Sequence, residues 1–344
     1  MDIHRSWFDD AVTRGLITAE QSKALLAFFE QQGADTPSFK AAHIFYYLGG
    51  AIAMGSLSWF VTLVWDSWVG WPMALLAVSF GVLGLSLTQR FLGQGRRVPA
   101  GVLATFTLAL VPLIVYNLQH ALGFWAGDSR VRDFQAYIDW RWVLMEAVTL
   151  ALGAAMFWRY RLPYLLFVVS VTLWYLSMDL VPFLFGDLDN TWELRKLVSL
   201  HFGLLMIGLA FWVDVRGTRK EDQAFWLYLF GVLTFWCGLT FMDSDSELNK
   251  FIYFAINLTM LAIGALLSRR VFAVFGAFGI FGYLYHLADK VFAGSLLFPV
   301  VLAGLGIGLV FIGVRWQKNE AKLHGALLGL LPLPVRALVE RAHG

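Results

Sequence analysis

An ionisable or strongly polar side chain inside an apolar run of membrane length is expensive to keep there, so each one marks a place to look for chemistry. Glu146 lies four residues into the apolar run 142–158, ~6 Å below its end at ~1.5 Å per helical residue. His201 occupies an equivalent depth in the run 197–213. Asp179 closes the run 162–180, and His286 and Asp289 close the run 271–287. Asn117 and His120 sit near the end of the run 98–122, beyond Pro112, which is expected to kink that helix and free a carbonyl. Asn257 lies ~9 Å into the run 251–267. If the runs alternate across a bilayer, all of these groups gather in its outer third. A polar vestibule of this kind, with Glu146 as its deepest acid, suits a cation, a proton or the head group of a lipid. The same residues are also compatible with helix ends wetted at the interface, with Glu146 paired to Arg141 or His201. His286 and Asp289 share a helical face, which serves a local hydrogen bond as well as it serves a metal.

Other chemistry is excluded by missing motifs. There is no glycine-rich nucleotide loop, no Gly-x-Ser-x-Gly elbow, no His-Glu-x-x-His helix and no cysteine pair. The single cysteine, Cys237, sits in an apolar stretch and reads as a small core residue. Asp243, Asp245 and Glu247 alternate as calcium ligands do, but the glycine and longer ligand set of an EF-hand loop are missing. No cofactor and no metal are therefore expected.

The elements that must carry these residues follow from composition. Of 344 residues, 59% are hydrophobic and only 15% charged, with 15 Trp, 30 Phe and a mean hydropathy of +0.66. A soluble globule of this size would have too few polar side chains to cover its surface. The net charge of +2 also argues against a nucleic-acid binder. Runs of roughly 17–25 apolar residues fall at 44–65, 68–88, 98–122, 142–158, 162–180, 197–213, 224–242, 251–267, 271–287 and 296–314. The fold expected is all-α, a polytopic transmembrane bundle of about ten spans.

Orientation comes from lysine and arginine. Of the 26 basic residues, 19 lie in the N-terminal segment, in the connectors after even-numbered runs, or in the tail. The other connectors hold Arg130, Arg132, Arg141, Arg195, Lys196, Lys250 and Lys290. Both ends are thus expected in the cytoplasm, and no cleavable signal is expected in the polar first forty residues. Tryptophans at the run ends (Trp59, Trp65, Trp68, Trp71, Trp140, Trp142) fit interfacial belts.

Outside the 44–316 membrane domain, residues 1–43 read as a cytoplasmic helical hairpin. Ser6 caps the first helix and Gly15 ends it; Thr18 caps the second, with Gln21 at the capping-box position. Trp7, Leu16, Ile17, Leu25, Leu26, Phe28 and Phe29 are its expected core. Its six acids against four bases oppose a helix-turn-helix role on DNA. Between the third and fourth runs, Val131, Phe134 and Ile138 have the spacing of a surface helix, and the tail 317–344 is expected to lie at the cytoplasmic interface. Glycines at 276, 279 and 282, and at 304 and 308, are spaced for close helix packing. Residues 145–179 and 255–289 share an offset of 110, with Thr149, Arg159, Tyr175 and Asp179 matching Thr259, Arg269, Tyr285 and Asp289. That pattern suggests a parallel internal repeat.

The stretch Gly15-Leu16-Ile17-Thr18-Ala19-Glu20-Gln21, followed by a helix opening Tyr47-Leu48-Gly49-Gly50-Ala51, resembles a family of bacterial membrane proteins designated domain of unknown function 2157 (DUF2157). The resemblance covers roughly residues 10–120. It implies a bacterial inner-membrane protein and carries over no catalytic residues. The expected partners are the lipid bilayer, a small solute, ion or lipid in the outer pocket, and a cytoplasmic protein at the N-terminal hairpin. The leading expectation is a carrier or binding protein. The alternatives are a sensor or scaffold working through the hairpin, and a membrane enzyme using Glu146 on a lipid-linked substrate.

Overall fold

The computed structural model describes residues 5–33, 41–125, 140–185, 191–216, 222, 224–242, 244 and 246–291, with single or short stretches at 300, 302–304, 306–308, 311 and 314. Among them the fold is all-α, with no strand. The expected surface helix at 131–138, the acids Asp243 and Asp245, most of the tenth apolar run and the whole tail lie outside the described residues.

Two short helices, α1 (Arg5–Thr13) and α2 (Ala19–Gly33), precede the long ones. Their junction is built as its residue types require. Gly15 turns the chain at φ 69°, the Thr18 amide donates to Gln21 Oε1 at 2.9 Å, and the Gln21 amide donates to Thr18 Oγ1 at 3.2 Å. Two expectations fail here. Ser6 lies inside α1 rather than capping it. Leu16 and Leu25 are exposed, so they form no core; a two-helix hairpin has too little interior to cover them. The side chains of Trp7, Phe28 and Phe29 lie outside the described residues.

Nine apolar runs form helices: α3 (Ala41–Trp68), α4 (Trp71–Gly93), α5 (Arg97–Ala109) with α6 (Val111–Ala121), α7 (Trp140–Tyr160), α8 (Leu165–Phe185), α9 (Thr191–Arg216), α10 (Phe225–Thr240), α11 (Glu247–Leu266) and α12 (Arg270–His286). Among the described residues, seven stretches are long and apolar enough to cross a membrane, counting α5–α6 as one; Leu165–Val181 and Phe225–Thr240 are shorter. The break between α5 and α6 falls at Leu110, two residues before Pro112, which has no N–H to continue the helical ladder. Large apolar side chains point outward along these helices. On α3 alone Phe45, Leu48, Ile52, Trp59 and Leu63 are more than half exposed, a surface suited to hydrocarbon surroundings rather than to water.

The chain divides into two compact units, Met1–Trp125 with Met156–Leu165, and Ala126–Ala155 with Leu166–Gly344. In the first, α4 packs on α5 and α6, and α3 on α5. The turn from α3 to α4 passes through Gly70 at φ 95°, and its amide donates to Asn117 Oδ1 at 2.9 Å. Trp65 stacks on Tyr116 with ring centres 5.1 Å apart, and Trp125 closes on the same ring at 5.0 Å.

In the second unit the tightest pairs are α9 with α10 and α11 with α12. A side chain on Gly203 or Gly238 would strike the facing backbone of α9–α10, and one on Gly276 the backbone of α11. One on Gly279 would overlap the Asn257 side chain. Among the described residues, Gly282, Gly304 and Gly308 meet no neighbour that a side chain would touch, so the close packing seen on α12 reaches only to Gly279. Aromatic contacts join α8 to α10, with Phe167 set edge-on to Trp226 at 4.8 Å.

Candidate ligand-binding site

α7 buries Met145, Thr149 and Gly153 on one face. Glu146 follows Met145 and so flanks that face, half-buried. α8 buries Ser177 and Val181, and Asp179 lies between them, also half-buried. These two carboxyls, 33 residues apart in sequence, face each other within hydrogen-bonding reach. Arg195, near the start of α9, places its charge beside Asp179. Next to it the Lys196 side chain is 3% exposed and donates from Nζ to Glu193 Oε1 at 2.6 Å.

The polar accounting around the pair does not close. Glu146 Oε2 is buried and receives no hydrogen bond among the described residues, and Arg195 Nε is buried with no acceptor among them. Carboxylate oxygens can only accept. Two of them held together stay there by sharing a proton or by enclosing a cation. No group of three or more His, Cys, Asp or Glu side chains gathers as a metal nest among the described residues. The arrangement suits a proton, or a single small cation or cationic group, better than a fully caged metal.

No family model, no curated protein and no solved structure matches this chain. The site is therefore read from its own geometry.

The other candidates divide. His201 is exposed on α9, and its Nδ1 lies 2.8 Å from Leu197 O one turn back; it is Asp179 that faces Glu146. Asn117 and His120 belong to the first unit. Asn117 is fully buried, accepts from Gly70 and donates from Nδ2 to Leu113 O at 2.8 Å, which is a structural bracket for the α3–α4 turn. His120 tilts against the Tyr116 ring at 6.4 Å. Asn257 is likewise used up inside the fold: its Oδ1 accepts from Trp236 Nε1 at 3.1 Å and its Nδ2 donates to Tyr253 O at 2.8 Å. His286 Nε2 stands 3.3 Å from both carboxylate oxygens of Glu247. Asp289 lies in a wide turn, Leu287–Val291, that follows α12, with Lys290 Nζ at 3.2 Å.

One cluster has no counterpart among the sequence expectations. Arg269, ahead of α12, donates to Asp214 Oδ1 at 2.5 Å and to Asp222 Oδ2 at 2.6 Å, and lies over the Tyr228 ring at 5.3 Å. Burial alone would lower the guanidinium pKa, but the Asp222 and Asp214 carboxylates hold it above its ordinary value. In the sequence Arg269 figures among the basic connectors and as the match of Arg159 in the internal repeat, not as a binding residue. The available signal was three acids, Asp214, Glu221 and Asp222, around the basic residues Arg216, Arg219 and Lys220 of one connector.

Proposed function

We propose that this chain is a polytopic protein of the bacterial inner membrane, of the kind it resembles, with ten spans and both ends in the cytoplasm, and that it binds and carries a proton, a small cation or a cationic solute. The observation that supports this most directly is the approach of Glu146 to Asp179, with one carboxylate oxygen buried and undonated. The Arg195 guanidinium lies beside Asp179, and Glu146 faces Asp179, so a shared proton or a bound cation offsets the second carboxylate. The two helix pairs of the proposed repeat, α7–α8 and α11–α12, each turn through a non-glycine residue with positive φ, Arg161 (49°) and Ser268 (53°). Such residues are uncommon, but at the offset of 110 Arg161 matches Val271 and Ser268 matches Trp158, so the two are not equivalent positions of the proposed repeat.

Purified protein in liposomes tests the proposal. Acidification of the lumen and uptake of sodium, potassium and an organic ammonium are followed with wild type, Glu146→Gln and Asp179→Asn. Both variants keep the side-chain shape and remove the charge, so uptake is expected to fall by about tenfold or more, the loss of roughly one charge-assisted interaction. Uptake at the wild-type rate in either variant, with the thermal midpoint unchanged, sinks the carrier.

A second reading has one observation of its own. Leu16 is 73% exposed beside the ordered turn between α1 and α2. A capped, rigid hairpin presenting an uncovered leucine suits a sensor or scaffold that docks a cytoplasmic protein there. Leu16→Asp would then abolish capture of that partner and leave cation uptake intact.

A further inference from the structure

At one end of the α10, α11 and α12 helices lies a cavity of about 570 Å³. We propose that it binds the anionic phosphate head group of a membrane lipid. This inference rests on the membrane reading above but not on the acid pair.

The polar wall consists of Thr240, Ser244, Asn249, Lys250, Tyr253 and His286. Among the described residues no acid lines the cavity, and their charged or chargeable groups there are Lys250 and His286. The Glu247 carboxylate, which is not part of the described lining, is already engaged by Lys250 Nζ at 2.8 Å and by His286. The donor accounting leaves a surplus. Lys250 has three N–H donors and gives one to Glu247. Thr240 and Tyr253 share one hydrogen bond of 3.0 Å between two hydroxyls, so one O–H is left over. Asn249 gives one amide hydrogen to Ser244 Oγ at 2.9 Å and keeps the other. Ser244 Oγ accepts from both Asn249 and the Ser246 amide, which leaves its own hydrogen to donate. A set of spare donors on Lys250, Asn249, Ser244 and the Thr240–Tyr253 pair is complementary to phosphate oxygens.

The apolar part of the lining favours a lipid over free phosphate. Leu239, Ile252, Ile256 and Tyr283 belong to it. The cavity runs from Ser244, before α11 begins, to Ile256 nine residues into that helix, a depth of ~13 Å. Polar groups at the helix end and apolar ones below match the order of head group and acyl chain in a bilayer. Gly282 is also part of the lining, and among the described residues nothing lies within 4 Å of the position a side chain would take there. A larger residue at 282 therefore fills the cavity without displacing the backbone.

Native mass spectrometry of the full chain in detergent, with dioctanoyl phosphatidylglycerol as probe, tests the site. Dioctanoylglycerol, which lacks the phosphate, and inorganic phosphate alone are the comparison ligands. The lipid phosphate is expected to bind at least about tenfold more tightly than either. Lys250→Gln is expected to weaken it about tenfold, and Gly282→Leu to abolish it in a protein that folds normally. Equal binding of dioctanoylglycerol, displacement by inorganic phosphate alone, or undiminished binding in Gly282→Leu each overturns the proposal. Glu146→Gln is expected to retain lipid binding, so loss of carriage and loss of the lipid site are read separately.

Discussion

Arg269 holds two acids eight residues apart in sequence, Asp214 and Asp222, with its side chain 20% exposed and Asp214 at 13%. Removing the guanidinium leaves two carboxylates facing each other in a poorly hydrated place. Deleting one member of a buried ion pair costs ~3–5 kcal/mol; the partial exposure here brings the expected loss for Arg269→Gln to about 2–3 kcal/mol. Thermal unfolding in detergent should show the drop. The double variant with Asp214→Asn should recover part of it, and additive losses would mean that the two residues do not interact. His201→Ala, by contrast, should leave cation uptake unchanged, because its ring is exposed and lies against its own helix. Glu146 and Asp179 were legible in the sequence because a carboxylate in an apolar run has few innocent explanations. Asn117 and Asn257 were not separable from them. An amide carries donors and acceptors together, so it can be satisfied entirely by nearby backbone and one indole or glycine, and only the packed structure shows that it is.

Two glycines on α12, three residues apart, give opposite predictions at the scale of the helix. A side chain on Gly279 would overlap Asn257, so Gly279→Ala forces α11 and α12 apart and should cost about 2–3 kcal/mol, as overpacking does. Gly282→Ala meets open space and removes a poor helix former, so it should gain up to about 1 kcal/mol. Thermal midpoints of the two variants that move in the same direction would refute this division of the helix face. The spacing of these glycines in sequence is identical, which is why the run could not reveal where close packing ends. Local signals were more legible. The Thr18–Gln21 capping box formed as its residue types specify, since both partners lie within one turn and need nothing from the rest of the fold. Thr18→Ala should accordingly cost about 1 kcal/mol of hairpin stability, detectable as faster amide exchange in α2.

At the scale of the whole chain, nine apolar runs returned as helices because length and hydrophobicity act on each segment alone, whereas the number that cross a membrane depends on the shorter ones. α10 has 16 residues, ~24 Å at 1.5 Å per residue, against ~30 Å of hydrocarbon. It crosses only if the bilayer thins or its neighbours cover the mismatch; its close packing on α9 through Gly203, Gly231 and Gly238 provides such a neighbour. The basic connectors make the question decidable. Lys220 and Arg270 are separated by α10 and α11, so both lie on the cytoplasmic side only if both helices span. If α10 stops short, Arg270 falls on the opposite side from Lys220, and the two arginines at 269 and 270 would face outward against the positive-inside bias. Reporter fusions after Arg97, Arg161, Lys220 and Arg270 are expected to read cytoplasm at all four positions. A periplasmic signal confined to the Arg270 fusion would remove α10 from the membrane and move the lipid-site residues Lys250 and His286 to a different level of the protein, while a periplasmic signal after Arg161 would do the same to the helix pair that holds Glu146 and Asp179.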